Sequence, residues 1–146
     1  MKNELYDELP KRETTDEIII HCTATPAGHD FTVQEIDQWH RARGWQCIGY
    51  HYVVYRDGSI HPGRPEMAVG AHCLDHNHRA IGIAYVGGLD EHGSIAMDTR
   101  TPLQKLALHQ LVVNLLKRYP KATVHGHKEF DKTKECPCFS VKREFY

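Results

Sequence analysis

Hydrophobic positions in this chain fall into short unbroken runs and longer helical stripes, and their alternation predicts the architecture. Glu17-Ile18-Ile19-Ile20-His21-Cys22-Thr23 is a β-branched run, the pattern of a buried central strand, and it stops at a Pro26-Ala27-Gly28 loop. Thr32-Val33-Gln34-Glu35 is a capping box, with threonine at the N-cap and glutamate three residues on. It predicts a helix through about Arg43, with Val33, Ile36 and Trp39 or His40 on one face and Gly44 as the stop. A further strand runs from Tyr50 to Arg56, and Asp57-Gly58 turns it back into Ile60. Ile81 to Val86 reads as another strand, closed by Gly87-Gly88.

Thr101-Pro102-Leu103-Gln104 repeats the capping-box logic, with proline at the first helical position. The helix it opens carries Leu103, Leu106, Ala107, Gln110 or Leu111, Asn114 and Leu115, and ends near Tyr119-Pro120. Thr123-Val124-His125 is a short last strand. Strands and helices alternate without repeats or linkers, which predicts an α/β fold: a single domain with one central mixed β-sheet flanked by helices. That domain spans residues 17–146. Residues 1–16 are charged and aperiodic, with Pro10 breaking any helix, and predict a flexible N-terminal arm.

Composition narrows the function classes. At 146 residues, 40% hydrophobic and 25% charged, the chain has an ordinary globular balance and enough length for a core. A net charge of −1 without a basic stripe argues against nucleic-acid binding. No segment approaches the roughly 20 apolar residues of a membrane span. The opening Met1-Lys2-Asn3-Glu4-Leu5-Tyr6 lacks the apolar run of a signal peptide, so a cytoplasmic location in the producing cell is expected. Five cysteines, an odd number without disulfide-framework spacing, suggest reduced thiols with one or more used for metal.

The chemistry concentrates in His125-Gly126-His127-Lys128 and Lys134-Glu135-Cys136-Pro137, together with His21 at the end of the first strand. Two imidazoles and a thiolate would give zinc three ligands with the fourth position left for water, the pattern of catalytic rather than structural sites. Cys22 points to the opposite strand face and reads as core. On spacing alone the set is open: His125 shares strand parity with His127, and Cys138 stands one proline from Cys136. A lone strand histidine is more often satisfied by a backbone carbonyl, and Cys-Pro-Cys can be a pair of incidental thiols.

An ordered series extends the pattern: His21-Cys22-Thr23-Ala24, Gly44-Trp45, Gly49-Tyr50-His51-Tyr52, Arg56-Asp57-Gly58, Gly63-Arg64, Gly70-Ala71-His72, Asn77, Ile81-Gly82-Ile83, Gly87-Gly88, Gly126-His127 and Cys136-Pro137. Over residues 17 to 140 this resembles the zinc-dependent N-acetylmuramoyl-L-alanine amidases of the type 2 amidase and peptidoglycan-recognition superfamily, particularly the small phage enzymes. The resemblance implies one Zn²⁺ held by His21, His127 and Cys136, in a groove at one sheet edge. It implies Tyr50 and Lys134 as catalytic residues and His72 and Asn77 as substrate-groove residues. His76 and His78 are additions read as groove-edge polar residues, and Cys138 replaces a small residue.

The implied activity is hydrolysis of the amide between N-acetylmuramic acid and L-alanine, by a monomer reaching the wall through a separate pore. No Glu stands in a His-Glu-x-x-His arrangement, so a thermolysin-type base is not expected. Two other readings compete. A muropeptide-recognition module typically lacks the cysteine ligand, and a cytoplasmic recycling amidase generally has aspartate where this chain has Cys136. A histidine-rich metal-storage protein is weaker still, given the ordered motif.

Overall fold

The structure, a computed structural model, describes residues 8–146. In chain order its elements are β1 (Glu17–Cys22), β2 (Thr25–Pro26), α1 (Val33–Ala42), β3 (Tyr52–Val54), β4 (Ile60–Pro62), β5 (Ala80–Tyr85), β6 (Gly88–Leu89), α2 (Pro102–Arg118), β7 (Thr123–Gly126) and α3 (Val141–Phe145). Short 3₁₀ turns precede β5 and follow β7. The isoleucine run becomes the buried β1 as expected, with β5 and β7 parallel on either side. The main sheet has the order β4-β3-β5-β1-β7, and only the β3–β4 hairpin is antiparallel, so the expected mixed sheet is present.

Period-2 alternation splits β1 between two layers. Ile18, Ile20 and Cys22 join a cluster with Leu108, Leu111 and Leu115 of α2 and Val141 of α3, which confirms Cys22 as core. Ile19 lies in a separate cluster with Cys73 and Ala80, and His21 follows it in parity. On that second side α1 seats Ile36 against Ile48, Val53 and Val86.

The inner face of α2 differs from the expected one. Gln104, Ala107, Leu108, Leu111, Val112 and Leu115 turn inward, while Leu103 and Leu106 stay 55% exposed. The cause is Gln104. Its Oε1 accepts from Thr101 N in the capping box at 2.9 Å, and its Nε2 donates to Val54 O and Val86 O at 3.2 and 3.1 Å. A polar side chain thus closes the helix end and bonds to carbonyls at two strand ends, which fixes the helix's rotation about its axis.

Packing also begins earlier than the expected arm allows. Leu9 and Arg12 are buried, Val69 N donates to Pro10 O, and the Arg12 guanidinium donates to the carbonyls of Glu66 and Ala68. An apolar side chain and an arginine with ready acceptors draw this segment onto the domain, so the boundary at residue 16 is not a structural one. Residues 1–7, the rest of that arm, lie outside the described residues.

Replacing Gln104 by Leu keeps bulk but strands the Val86 carbonyl and half of the capping box, while Val54 O keeps its bond from Val86 N. At about 1–3 kcal/mol for an unsatisfied buried group, the expected loss is about 2–4 kcal/mol in a denaturant titration. A loss below 0.5 kcal/mol would show that Gln104 does not fasten α2 to the sheet.

Candidate metal centre

Strand register brings the candidate ligands together. β1 and β7 pair in parallel with Ile20 opposite Gly126, so the next residue on each strand is a histidine. The two side chains emerge at the same end of the sheet with His21 Nδ1 and His127 Nδ1 3.1 Å apart. His127 then opens a 3₁₀ turn, and the chain doubles back until Lys128 N donates to Cys136 O at 2.8 Å. That return closes the nine-residue separation between His127 and Cys136. One donor atom each from His21, His127 and Cys136 lies within 4.8 Å of the others.

This donor set fits zinc. Zn–N bonds of about 2.0–2.1 Å and Zn–S bonds of about 2.3 Å in a tetrahedron require ligand atoms between roughly 3 and 4 Å apart. The backbone N–H of Cys22 donates to Cys136 Sγ at 3.0 Å, a contact suited to a thiolate. The rival ligands are placed elsewhere. His125 pairs with Glu129 at 3.0 Å and Thr123 at 2.6 Å. Cys138 Sγ points to Gly88 O at 3.4 Å and lies 4.0 Å from Cys22 Sγ.

Electrostatics keep the imidazoles neutral. Burial first, then the neighbouring histidines His72, His127 and His51, holds His21 well below its ordinary value. His127 is lowered by burial and by Lys134, against Asp131. Neutral imidazole is the form that binds metal. The thiol of Cys136, then burial, pushes Cys22 up to about 12, so Cys22 stays protonated.

A groove of about 360 Å³ opens over this centre, with Tyr50, Lys134, Trp39, Arg43 and Trp45 among its walls. Tyr50 is half-buried, with its ring centroid 5.4 Å from that of His21, and burial raises its phenol above the ordinary value. Lys134 is exposed on the returning loop. His72 lines the groove and Asn77 an adjoining depression, but the His72 ring nitrogens and Asn77 Oδ1 are turned inward. His72 Nδ1 lies 2.9 Å from His21 Nε2, and Asn77 Oδ1 accepts from the backbone of His72 and Cys73. His76 is turned to Glu17 at 2.8 Å and stacks on Phe130, while His78 is exposed.

Sequence reasoning missed His40 as a groove residue, having placed it on the apolar face of α1. It is buried, accepts from Gly49 N at Nδ1, and packs between Trp45 and Tyr50 at centroid distances of 4.5 and 5.3 Å. Gly44-Trp45 in the ordered motif was the available signal.

Comparison with known proteins gives consistent results. The family described as N-acetylmuramoyl-L-alanine amidase matches residues 11–139. The endolysin of Escherichia phage T7 is 43% identical over 136 residues, covering 93% of this chain and 89% of that protein. The solved endolysin N-acetylmuramoyl-L-alanine amidase LysCS from Clostridium intestinale superposes with a TM-score of 0.79 at 34% identity, covering 93% of this chain and 84% of its own. Drosophila PGRP-LB shares the fold, with a TM-score of 0.74 at 24% identity over 89% of this chain and 79% of its own.

The buried histidines generate a pH dependence. Burial lowers both His40 and His51 to about 4, so the unfolded chain binds protons that the folded chain refuses between about 6.5 and 4. Their stabilising effect is complete above that window and lost as pH falls through it, by about 3 kcal/mol for the fully buried His51 ring and less for His40. Thermal melts in chelator, which remove any metal contribution, are expected to give a flat Tm from pH 8 to 7 and a steep fall from pH 6.5 to 4.5. A flat profile through pH 4.5 would contradict neutral burial.

Proposed function

The chain belongs to the N-acetylmuramoyl-L-alanine amidase family and is an enzyme of the phage endolysin type, and from that premise we propose which of its residues carry the reaction. The bond hydrolysed joins N-acetylmuramic acid to L-alanine in peptidoglycan. His21, His127 and Cys136 would hold one Zn²⁺. The observation that carries this reading is the convergence of two Nδ1 atoms and a sulfur at the floor of the groove. A zinc ion so held would supply Lewis acidity for the scissile carbonyl and a hydroxide nucleophile at neutral pH.

The chain's own residues supply the rest. Burial keeps the Tyr50 proton on Oη at neutral pH, so the phenol is a hydrogen-bond donor beside His21. It orients the attacking group or bonds to the developing oxyanion. Lys134, on the groove wall, brings positive charge to the side where carbonyl charge develops. Trp39 and Trp45 present aromatic walls that position the sugar and stem peptide. The presence of a cysteine third ligand supports turnover over mere recognition of muropeptide. Action on the wall after release through a separately encoded pore is part of the same proposal and rests on the endolysin relatives. No helix among the described residues is long and apolar enough to cross a membrane.

Digestion of purified sacculi with mass spectrometry of the soluble products tests the site. Zinc-loaded wild type should release peptides beginning in L-alanine and leave glycan strands intact, and Cys136→Ser should release none. Full activity of that variant would move the third ligand to Cys138. Tyr50→Phe, which keeps the ring, and Lys134→Met should each fold normally and lose about 10²–10³ in kcat, the usual cost of one preorganised donor. A loss under fivefold in either would remove that residue from the mechanism.

A further inference from the structure

His72 sits where a groove residue was expected, yet it is only 9% exposed and both of its ring nitrogens face protein. Nδ1 lies 2.9 Å from His21 Nε2, and Nε2 lies 3.4 Å from Ala80 O. A carbonyl oxygen only accepts, so the hydrogen of His72 stands on Nε2 and its Nδ1 is bare. A bare Nδ1 takes the hydrogen of His21 Nε2. His21 Nδ1 then carries a lone pair, and it is the atom that faces His127 Nδ1 at 3.1 Å. The opposite tautomer would put a hydrogen where the metal must bind.

The seat of His72 is built in detail. Asn77 Oδ1 accepts from the backbone N–H of His72 and of Cys73, both at 2.9 Å, and fixes the loop that carries the ring. Two glycines make room for it. A Cβ at Gly82 would stand 2.5 Å from His72 Cγ, and one at Gly70 would stand 2.6 Å from His72 Cδ2 and 2.8 Å from His51 Cε1. Neither approach is compatible with a side chain unless the ring moves. Behind it His51 is locked as well, with Nδ1 accepting from Gly82 N at 3.0 Å and Nε2 donating to Ala68 O at 2.8 Å.

We propose that His72 is a positioning residue for the metal ligand His21, accepting from His21 Nε2 and so fixing both the tautomer and the ring plane that aim Nδ1 at the metal. The inference rests on the zinc reading of His21, His127 and Cys136. Asn77 acts one step further out, by holding His72. Outer partners of this kind commonly change metal affinity by about 10–100-fold.

The test measures zinc binding as well as turnover. Full-length wild type, His72→Leu and His72→Asn are titrated with Zn²⁺ against a chromophoric chelator, and their Co²⁺ spectra are compared. The leucine variant removes the acceptor and keeps bulk, and it should bind Zn²⁺ about 10–100-fold more weakly with an altered Co²⁺ spectrum. Asparagine offers Oδ1 close to the position of Nδ1 and should recover most of the loss. Unchanged affinity in the leucine variant, or equal loss in both variants, would overturn the proposal. Long-range ¹H–¹⁵N spectra of zinc-loaded wild type do not depend on variant folding, and should show the hydrogen on Nε2 of both His21 and His72. A hydrogen on His72 Nδ1 would also overturn it. Failure of wild type itself to bind Zn²⁺ would defeat the zinc reading instead, so the two failures are told apart.

Discussion

The parallel register of β1 against β7 is the constraint on which the rest of the molecule depends. Pairing of Ile20 with Gly126 ends the ladder one residue short of His21 and His127, so both side chains leave the sheet together at the carboxyl ends of adjacent strands. A slip of one residue would send His21 to the side of Ile20 and Cys22, into the layer packed on α2. The register is protected by burial. Ile18 and Ile20 must face α2 while Ile19 faces Cys73 and Ala80, and neither set can exchange places without exposing apolar surface. The same packing that stabilises the sheet therefore sets the distance between the two candidate metal ligands.

The surroundings fix each of these groups from its outer side. His21 Nδ1 and His127 Nδ1 stand 3.1 Å apart with the Cys136 sulfur beside them. The opposite ring edge of His21 meets His72 Nδ1 at 2.9 Å, and the backbone N–H of Cys22 donates to the sulfur at 3.0 Å. Burial keeps the His21 ring neutral, the form in which imidazole binds metal.

Much of this was legible in the sequence because it rests on local rules. Both capping boxes form as the Thr-x-x-Glu and Thr-x-x-Gln spacings predict, with hydrogen bonds in both directions. The isoleucine run, the Asp57-Gly58 turn and the core role of Cys22 follow from periodicity and turn chemistry. What was not legible has a different origin. Gln104, His40 and His72 are polar residues that are buried because a specific partner on another element accepts or donates to them. Periodicity does not identify such partners, which come into reach only once the elements are packed. Leu9 and Arg12 were misjudged for the same reason: their neighbours at 66–69 are remote in sequence.

Loop ligands are usually less precise than ligands on strands, and Cys136 lies on a loop. The C-terminal segment compensates from its far side. Tyr85 Oη donates to Pro137 O at 2.7 Å, tying the residue after the ligand to the sheet. Arg100, with a side chain almost without exposure, bonds to both Asp98 and Glu144 and lies 3.4 Å from the ring centroid of Phe139. Burying an arginine is tolerable because two carboxylates and an aromatic face meet it together. Cys136 is thereby held between this anchorage and the hydrogen bonds of Cys22 and Lys128, while Lys134 two residues earlier remains exposed on the groove wall. One loop thus presents two kinds of group: a sulfur whose position is fixed by the fold, and an ammonium on a flexible stem at the groove wall.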